Sequence, residues 1–216
     1  MNCGKAYLIG LMLADGGIYS YRDKNYPKTY HRQVDFVADK SLDFVSIISK
    51  LVKQEFNIST KIKKHSSANC YYVSNYEKNI FFKFARFGIP KGEKTHKITF
   101  PFYFKGLSLE LKLAMIKGIF DGEATIIMRK ENHKLKGKIK SYQYPIIELK
   151  MSSPKIIEQI AETLKEIGIS FNKYFYFNKK RFEIHIRDRF SLENFKQKIG
   201  FLHPIKKEKL EVYCYK

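Results

Sequence analysis

Two acids, each closing an apolar stretch striped with small residues, stand out in this chain as groups able to do chemistry. Asp15 follows the run YLIGLMLA (residues 7–14), and Glu123 closes AMIKGIFDGE (residues 114–123). Gly10 and Ala14 are four apart, as are Gly118 and Gly122, so on a helix each pair shares one face. Two such faces let backbones approach closely. Because an acid directly follows the second small residue in both, a tight crossing would bring Asp15 and Glu123 together at the C-terminal ends of two helices. Two carboxylates there repel each other and meet the negative ends of two helix dipoles, so the site calls for a counter-charge. A hard divalent cation, Mg²⁺ or Mn²⁺, accepts carboxylate, backbone carbonyl and water oxygens. It can also activate a water and stabilise the departing oxygen in phosphodiester hydrolysis.

The elements that must position these acids repeat. In the first half a helix over residues 3–15 leads to extended segments at 18–21 and 32–38, joined by a polar hairpin. Ser41 is placed to cap an amphipathic helix with the stripe Phe44, Val45, Ile47, Ile48, Leu51 and Val52. Strands at 60–64 and 69–74 follow, then a helix over 77–87 that stops at Gly88. The second half runs in the same order: a helix over 109–123, strands at 125–130 and 144–151, and a helix over 155–167 opened by Ser153–Pro154. Strands at 173–178 and 182–187 and a helix over 192–199 complete it. The reading is an α+β protein of two pseudo-symmetric α-β-β-α-β-β-α halves, residues 1–88 and 107–216, with a Pro/Gly-bearing basic linker at 89–106. Asp15 and Glu123 stand 108 residues apart, half of the 216. A single acid closing an apolar helix is ordinarily a turn or capping residue. Matching acids at corresponding places in two matching halves are much harder to attribute to packing alone.

Charge names the kind of partner. The chain has 41 Lys and Arg against 21 Asp and Glu, a net charge of +20. The basic residues are spread over many short segments and interleaved with 18 Phe and 15 Tyr, which fits a nucleic-acid surface better than a membrane-binding helix. A genome biased toward A and T would also enrich Lys, Ile, Phe and Tyr. Cys3, Cys70 and Cys214 are scattered, without metal or disulfide spacing, and suit an intracellular protein. No signal peptide is read, and no run of about 18 or more uninterrupted apolar residues offers a membrane span.

The segment LIGLMLADG (residues 8–16) resembles the signature of the LAGLIDADG homing endonucleases, and IKGIFDGEA (116–124) resembles it more loosely. The similarity extends through FGIPKGEKTHKITFP and IGFLHPIKKEKL, and so over essentially the whole chain, in the manner of stand-alone two-motif monomers. It implies a site-specific double-strand DNA endonuclease in which Asp15 and Glu123 bind divalent metal. It also implies two antiparallel sheets forming a saddle along the DNA major groove, over a long, imperfectly symmetric target. The family commonly has basic residues near the scissile phosphates; Lys97 and Lys207 are the candidates here, with Lys94, Lys206 and Lys209 as neighbours. Ala124 replaces the final glycine of the second signature, and position 123 is Glu rather than Asp. Asp121 fills the signature's earlier acidic position, where the first copy has Leu13.

For a DNA-reading face, RFEIHIR alternates Phe182, Ile184 and Ile186 with Arg181, Glu183, His185 and Arg187, so one side packs and the other reads. Arg181 and Arg187 suit guanine edges or phosphates, Gln33 suits adenine, and Arg32 is a further DNA-binding candidate. Lys61, Lys63 and Lys64 form a less alternating set. Two other functions stay open on the sequence: a group I intron maturase that binds intron RNA, and a non-catalytic DNA-binding regulator.

Overall fold

The computed structural model describes residues 1–23, 25, 26, 28, 30–66, 68–94, 96, 98–135 and 138–214. By packing, the chain forms two compact units, Met1–Glu123 and Ala124–Lys216.

In the first unit α1 (Cys3–Ala14) starts where Asn2 Oδ1 accepts the Lys5 N–H at 3.0 Å. Every residue from Ala6 to Ala14 is buried, so α1 is a core helix rather than an amphipathic one. β1 (Gly17–Arg22), β2 (Tyr30–Asp39), β3 (Lys61–Lys64) and β4 (Tyr71–Asn75) form an antiparallel sheet in the order β1-β2-β4-β3. Its register shifts between Asp35 and Val37, a bulge in β2. As the sequence suggests, Ser41 caps α2 (Leu42–Phe56), its Oγ accepting the Phe44 N–H at 3.2 Å. Gly88, at φ +89°, turns the chain out of α3 (Lys78–Arg86) in a conformation that favours glycine. Between helices and sheet, Phe84 meets Phe36 and Phe56 edge-on at ring separations of 5.2 and 4.9 Å.

The expected linker at 89–106 is held against this unit. The Gly92 N–H donates to Ile18 O at 2.9 Å, and Phe100 stacks on Phe104 at 3.8 Å ahead of and within a short 3-10 turn, Phe102–Gly106. α4 (Leu109–Glu123) packs on α1. For that reason the boundary between compact units falls after α4 rather than within the linker.

The second unit has β5 (Ala124–Leu135), β6 (Lys138–Met151), β7 (Asn172–Tyr176) and β8 (Arg181–Ile186) in the order β5-β6-β8-β7, the same pattern as the first sheet. β5 and β6 pair from Ala124↔Leu149 to Leu135↔Lys138, well past the strand ends expected from sequence. The core is made by α5 (Pro154–Glu166), through Ile156, Ile157, Ile160 and Leu164, with Leu192 and Phe195 of α6 (Arg189–Lys198). An additional helix, α7 (Pro204–Cys214), departs from the expected α-β-β-α-β-β-α order. It packs on α6, β5 and β6, and its first residue is a proline, a position where the missing N–H costs no helical hydrogen bond. Among the described residues, no helix is long and apolar enough to cross a membrane.

Candidate metal and nucleic-acid site

The site is built on the α1–α4 crossing. A Cβ on Gly10 would collide with the Met115 carbonyl, and one on Gly118 would collide with the Tyr7 carbonyl and the Leu11 nitrogen. One on Gly122 would fall 2.6 Å from Ala14 Cβ and 3.3 Å from Asp15 Cβ. The small residues singled out in the sequence are therefore the ones that bring the two backbones into contact, and the contact runs to the ends that carry the acids.

Asp15 is the C-terminal cap of α1, its N–H donating to Leu11 O at 2.9 Å. Its carboxylate is held by the strand beside it: Oδ2 accepts the Ala38 N–H at 3.1 Å, just past the β2 bulge. Gly16 makes this approach possible, since a Cβ there would strike the Asp35 and Phe36 carbonyl oxygens at 2.5 and 2.8 Å. Glu123 is the last residue of α4, half-buried like Asp15.

The counter-charge comes from Lys94. Its Nζ donates to the carbonyl oxygens of Met12, Leu13 and Ala14 at 2.6, 2.9 and 3.0 Å. A cation is thus placed on the negative end of α1. Burial pushes its pKa down to about 8, while the charges of Asp15 and Glu123 pull it the other way. Lys97, the residue preferred from sequence, lies outside the described residues; Lys94 is its neighbour in the same basic segment. Lys207 is on α7, exposed to solvent.

Two further groups adjoin Asp15. Tyr19 folds back so that a Cβ on Gly17 would lie 2.6 Å from its hydroxyl. Burial, then the Asp35 and Asp15 charges, raise its pKa. Asp35 pairs across the sheet with Gly17, and burial raises its carboxyl pKa against the opposing effects of Gln33 and Lys63. Deeper in the helix crossing, the Tyr7 hydroxyl donates to Asp121 Oδ2 at 2.9 Å, both residues buried. Asp121 is thus a buried partner of Tyr7.

Among the described residues, no three His, Cys, Asp or Glu side chains converge into a ready-made metal cage. The donor set nevertheless fits Mg²⁺ or Mn²⁺: two carboxylates at adjoining helix ends match ions that take one or two carboxylates and complete their shell with water and substrate phosphate. Asp15 and Glu123 are the residues that would hold it.

The strands sort the remaining candidates. Arg32 and Gln33 point to opposite faces of β2. The Arg32 guanidinium, a DNA-binding candidate from sequence, lies 5.4 Å from the centre of the Phe82 ring in α3, on the helix side of the sheet. Gln33 is on the open face, but its amide donates to both Asp35 oxygens, at 2.9 and 3.0 Å. Lys61 and Lys63 share that open face on the edge strand β3, with Lys63 Nζ donating to the Tyr76 hydroxyl at 3.0 Å; Lys64 points the other way. In β8, Ile184 and Ile186 are fully buried as expected, and Arg181 and Arg187 stay at least partly open. His185 does not: it is 6% exposed, and Glu183 beside it is 2% exposed. Cross-strand partners on β6, which periodicity along a single strand cannot reveal, close over both.

Two four-stranded antiparallel sheets with their packed helices, and acids ending the crossed pair α1 and α4, define the LAGLIDADG homing endonuclease fold. Residues 110–200 match the family described as LAGLIDADG-like domain. The chain is similar to I-DmoI, solved in complex with DNA and Mn, at TM-score 0.63 and 17% identity over 92% of this chain and 98% of that one. It is likewise similar to the I-LtrWI LAGLIDADG homing endonuclease bound to target DNA, at TM-score 0.67 and 13% identity over 99% and 90%. I-SmaMI, bound to an uncleaved DNA target with calcium ions, matches at TM-score 0.65 and 10% identity over 100% and 90%. No curated protein matches the sequence.

Proposed function

We propose that this protein is an intracellular, site-specific endonuclease that hydrolyses phosphodiester bonds of double-stranded DNA as a single chain, one strand's cut being assigned to Asp15 and the other's to Glu123. The observation that carries this reading is the α1–α4 crossing, whose small residues deliver two acids to adjoining helix ends with Lys94 beside them. Mg²⁺ or Mn²⁺ bound there supplies an activated water and charge stabilisation of the leaving oxygen. The chain's own groups have separate tasks. The Ala38 N–H fixes the direction of the Asp15 carboxylate, and Glu123 supplies the matching oxygen ligands from α4. Lys94 is the cation assigned to this end of α1. A net charge of +20 draws the duplex in, with Lys61 and Lys63 of the first unit and Arg181 and Arg187 of the second supplying phosphate and base contacts.

The test is cleavage of a randomised duplex library by wild type in Mg²⁺, by wild type in Ca²⁺, and by Asp15→Asn in Mg²⁺, with the ends sequenced. Recurrent double-strand ends within one long motif, made only by wild type in Mg²⁺, are the expected result. Capture of a DNA or RNA motif without any metal-dependent ends would overturn the nuclease and leave a binder.

A further inference from the structure

The open face of the second sheet carries a chain of charged side chains beyond what phosphate attraction needs. Across β6 and β8, Glu148 sits opposite His185 and Lys150 opposite Glu183; across β7 and β8, Tyr174 sits opposite Glu183 and Tyr176 opposite Arg181. All therefore share one face. His185 Nε2 lies 2.7 Å from Glu183 Oε2 and 3.7 Å from Glu148 Oε1. Glu183 Oε1 in turn ion-pairs with the Arg181 guanidinium at 2.5 Å, and Lys150 closes on Glu148. The Tyr174 ring packs on His185 at 4.7 Å, and the Arg181 guanidinium lies 5.5 Å from the centre of the Tyr176 ring. Glu183 and His185 are buried, whereas the Arg181 side chain keeps 31% of its surface open.

Stability and polyanion attraction are poor explanations for this arrangement. Buried ion pairs rarely stabilise a fold better than apolar side chains of the same size, and two acids beneath a DNA-binding face weaken its pull on phosphate. What the chain does supply is orientation. Glu183 holds the guanidinium by charge at Nη2, Nε is buried, and Tyr176 lies against the group, so its swing is restricted while 31% of the side chain stays open. A phosphate contact needs no such fixing, and lysine would serve it; a two-point contact with guanine O6 and N7 needs the fork held in one plane.

We propose that Arg181 reads a guanine in the target, and that Glu183, steadied by His185 and Glu148, is the positioning residue that holds it in the reading pose. This rests on the DNA-binding reading above. It predicts one guanine-selective base pair that depends on side chains not themselves touching DNA.

The test is binding selection from a randomised duplex library in Ca²⁺, using wild type, Arg181→Ala, Arg181→Lys, Glu183→Gln and Arg187→Ala, each first checked for a cooperative melt. Wild type should enrich a motif in which Arg181→Ala erases guanine preference at one position by roughly tenfold or more, the other positions holding. Arg181→Lys should lose the same preference for want of the fork, and Glu183→Gln should weaken it severalfold there alone. Arg187→Ala, which removes a different DNA contact, should weaken binding or alter preference elsewhere in the motif while the guanine assigned to Arg181 is still selected. Even weakening of all sequences by Arg181→Ala would make it a phosphate contact and overturn the inference. A guanine preference lost with Arg181→Ala but intact in Glu183→Gln would overturn the positioning role. Because the arginine variants alter a partly exposed side chain, they decide the first point even if Glu183→Gln fails to fold. A wild type that enriches no motif would overturn the proposed function and the inference with it; a motif indifferent to Arg181 would overturn the inference alone.

Discussion

Lys94 Nζ donates to the carbonyl oxygen of Met12 at 2.6 Å, and so lays a cation across the open end of the helix that presents Asp15. That lysine is held charged at a cost, because burial lowers its pKa from 10.5 to about 8. Between those values the unfolded chain binds the proton and the folded chain does not, so folding stability from this group rises with pH across the window and is lost as pH falls through about 8. Melting of metal-free wild type and Lys94→Met from pH 7 to 10.5 tests this. The difference should widen in favour of wild type above pH 8, by less than about 1.4 kcal/mol per pH unit, the limit for one proton. A difference independent of pH would mean that Lys94 does not titrate in its buried position.

Asp15→Asn and Glu123→Gln keep the size of each side chain and remove its charge. If these acids hold the ion, each change removes several kcal/mol of transition-state stabilisation, a rate loss of about a thousandfold or more, and EDTA should do the same to wild type. Binding of the cognate duplex should change only a few-fold, because phosphate contacts elsewhere carry the affinity. Cleavage assays alongside gel-shift titrations separate the two effects. Equal losses of cutting and binding would make the acids structural helix ends.

The helix crossing gives a prediction that is independent of DNA. At Gly118 and Gly10 there is no room for even a Cβ against the facing backbone. Gly118→Leu or Gly10→Leu should therefore force the helices apart and cost on the order of 1–3 kcal/mol or more, read as a shift in the urea midpoint. An unchanged midpoint would refute close contact between α1 and α4.

Much of this was legible because its causes are local. Ser41 precedes an amphipathic stripe and does cap α2; Gly10, Ala14, Gly118 and Gly122 recur at the spacing of one helix face and do line the crossing. The errors came where distant chain segments decide. His185 looks exposed by alternation along β8, yet Glu148 from β6 and Tyr174 from β7 enclose it. That Lys94 reaches the carbonyls of residues 12–14 is likewise a matter of the fold, on which composition is silent. Two other details were within reach of the sequence: Arg32 and Gln33 are adjacent in a strand and must diverge, and Pro204 is a helix-start signal for α7.

Tyr7 and Asp121 offer a measurement that separates architecture from chemistry. Burial, and then the charge and hydrogen bond of Asp121, raise the Tyr7 pKa well above that of an ordinary phenol, so the hydroxyl stays protonated and donates to the carboxylate. Tyr7→Phe removes that donor from a nearly fully buried acid and should cost about 1–3 kcal/mol. Asp121→Leu alone should leave the hydroxyl without this acceptor, whereas the double variant removes both halves of the bond. The cycle should therefore return a coupling of about 0.5–3 kcal/mol in urea unfolding. A coupling near zero would mean that the bond does not hold the crossing together. Because Asp121 faces Tyr7 within the crossing while Asp15 and Glu123 stand at the helix ends, these variants should leave the Mg²⁺ concentration needed for cutting unchanged in the fraction that stays folded. A shifted Mg²⁺ requirement would instead place Asp121 among the groups that hold the ion.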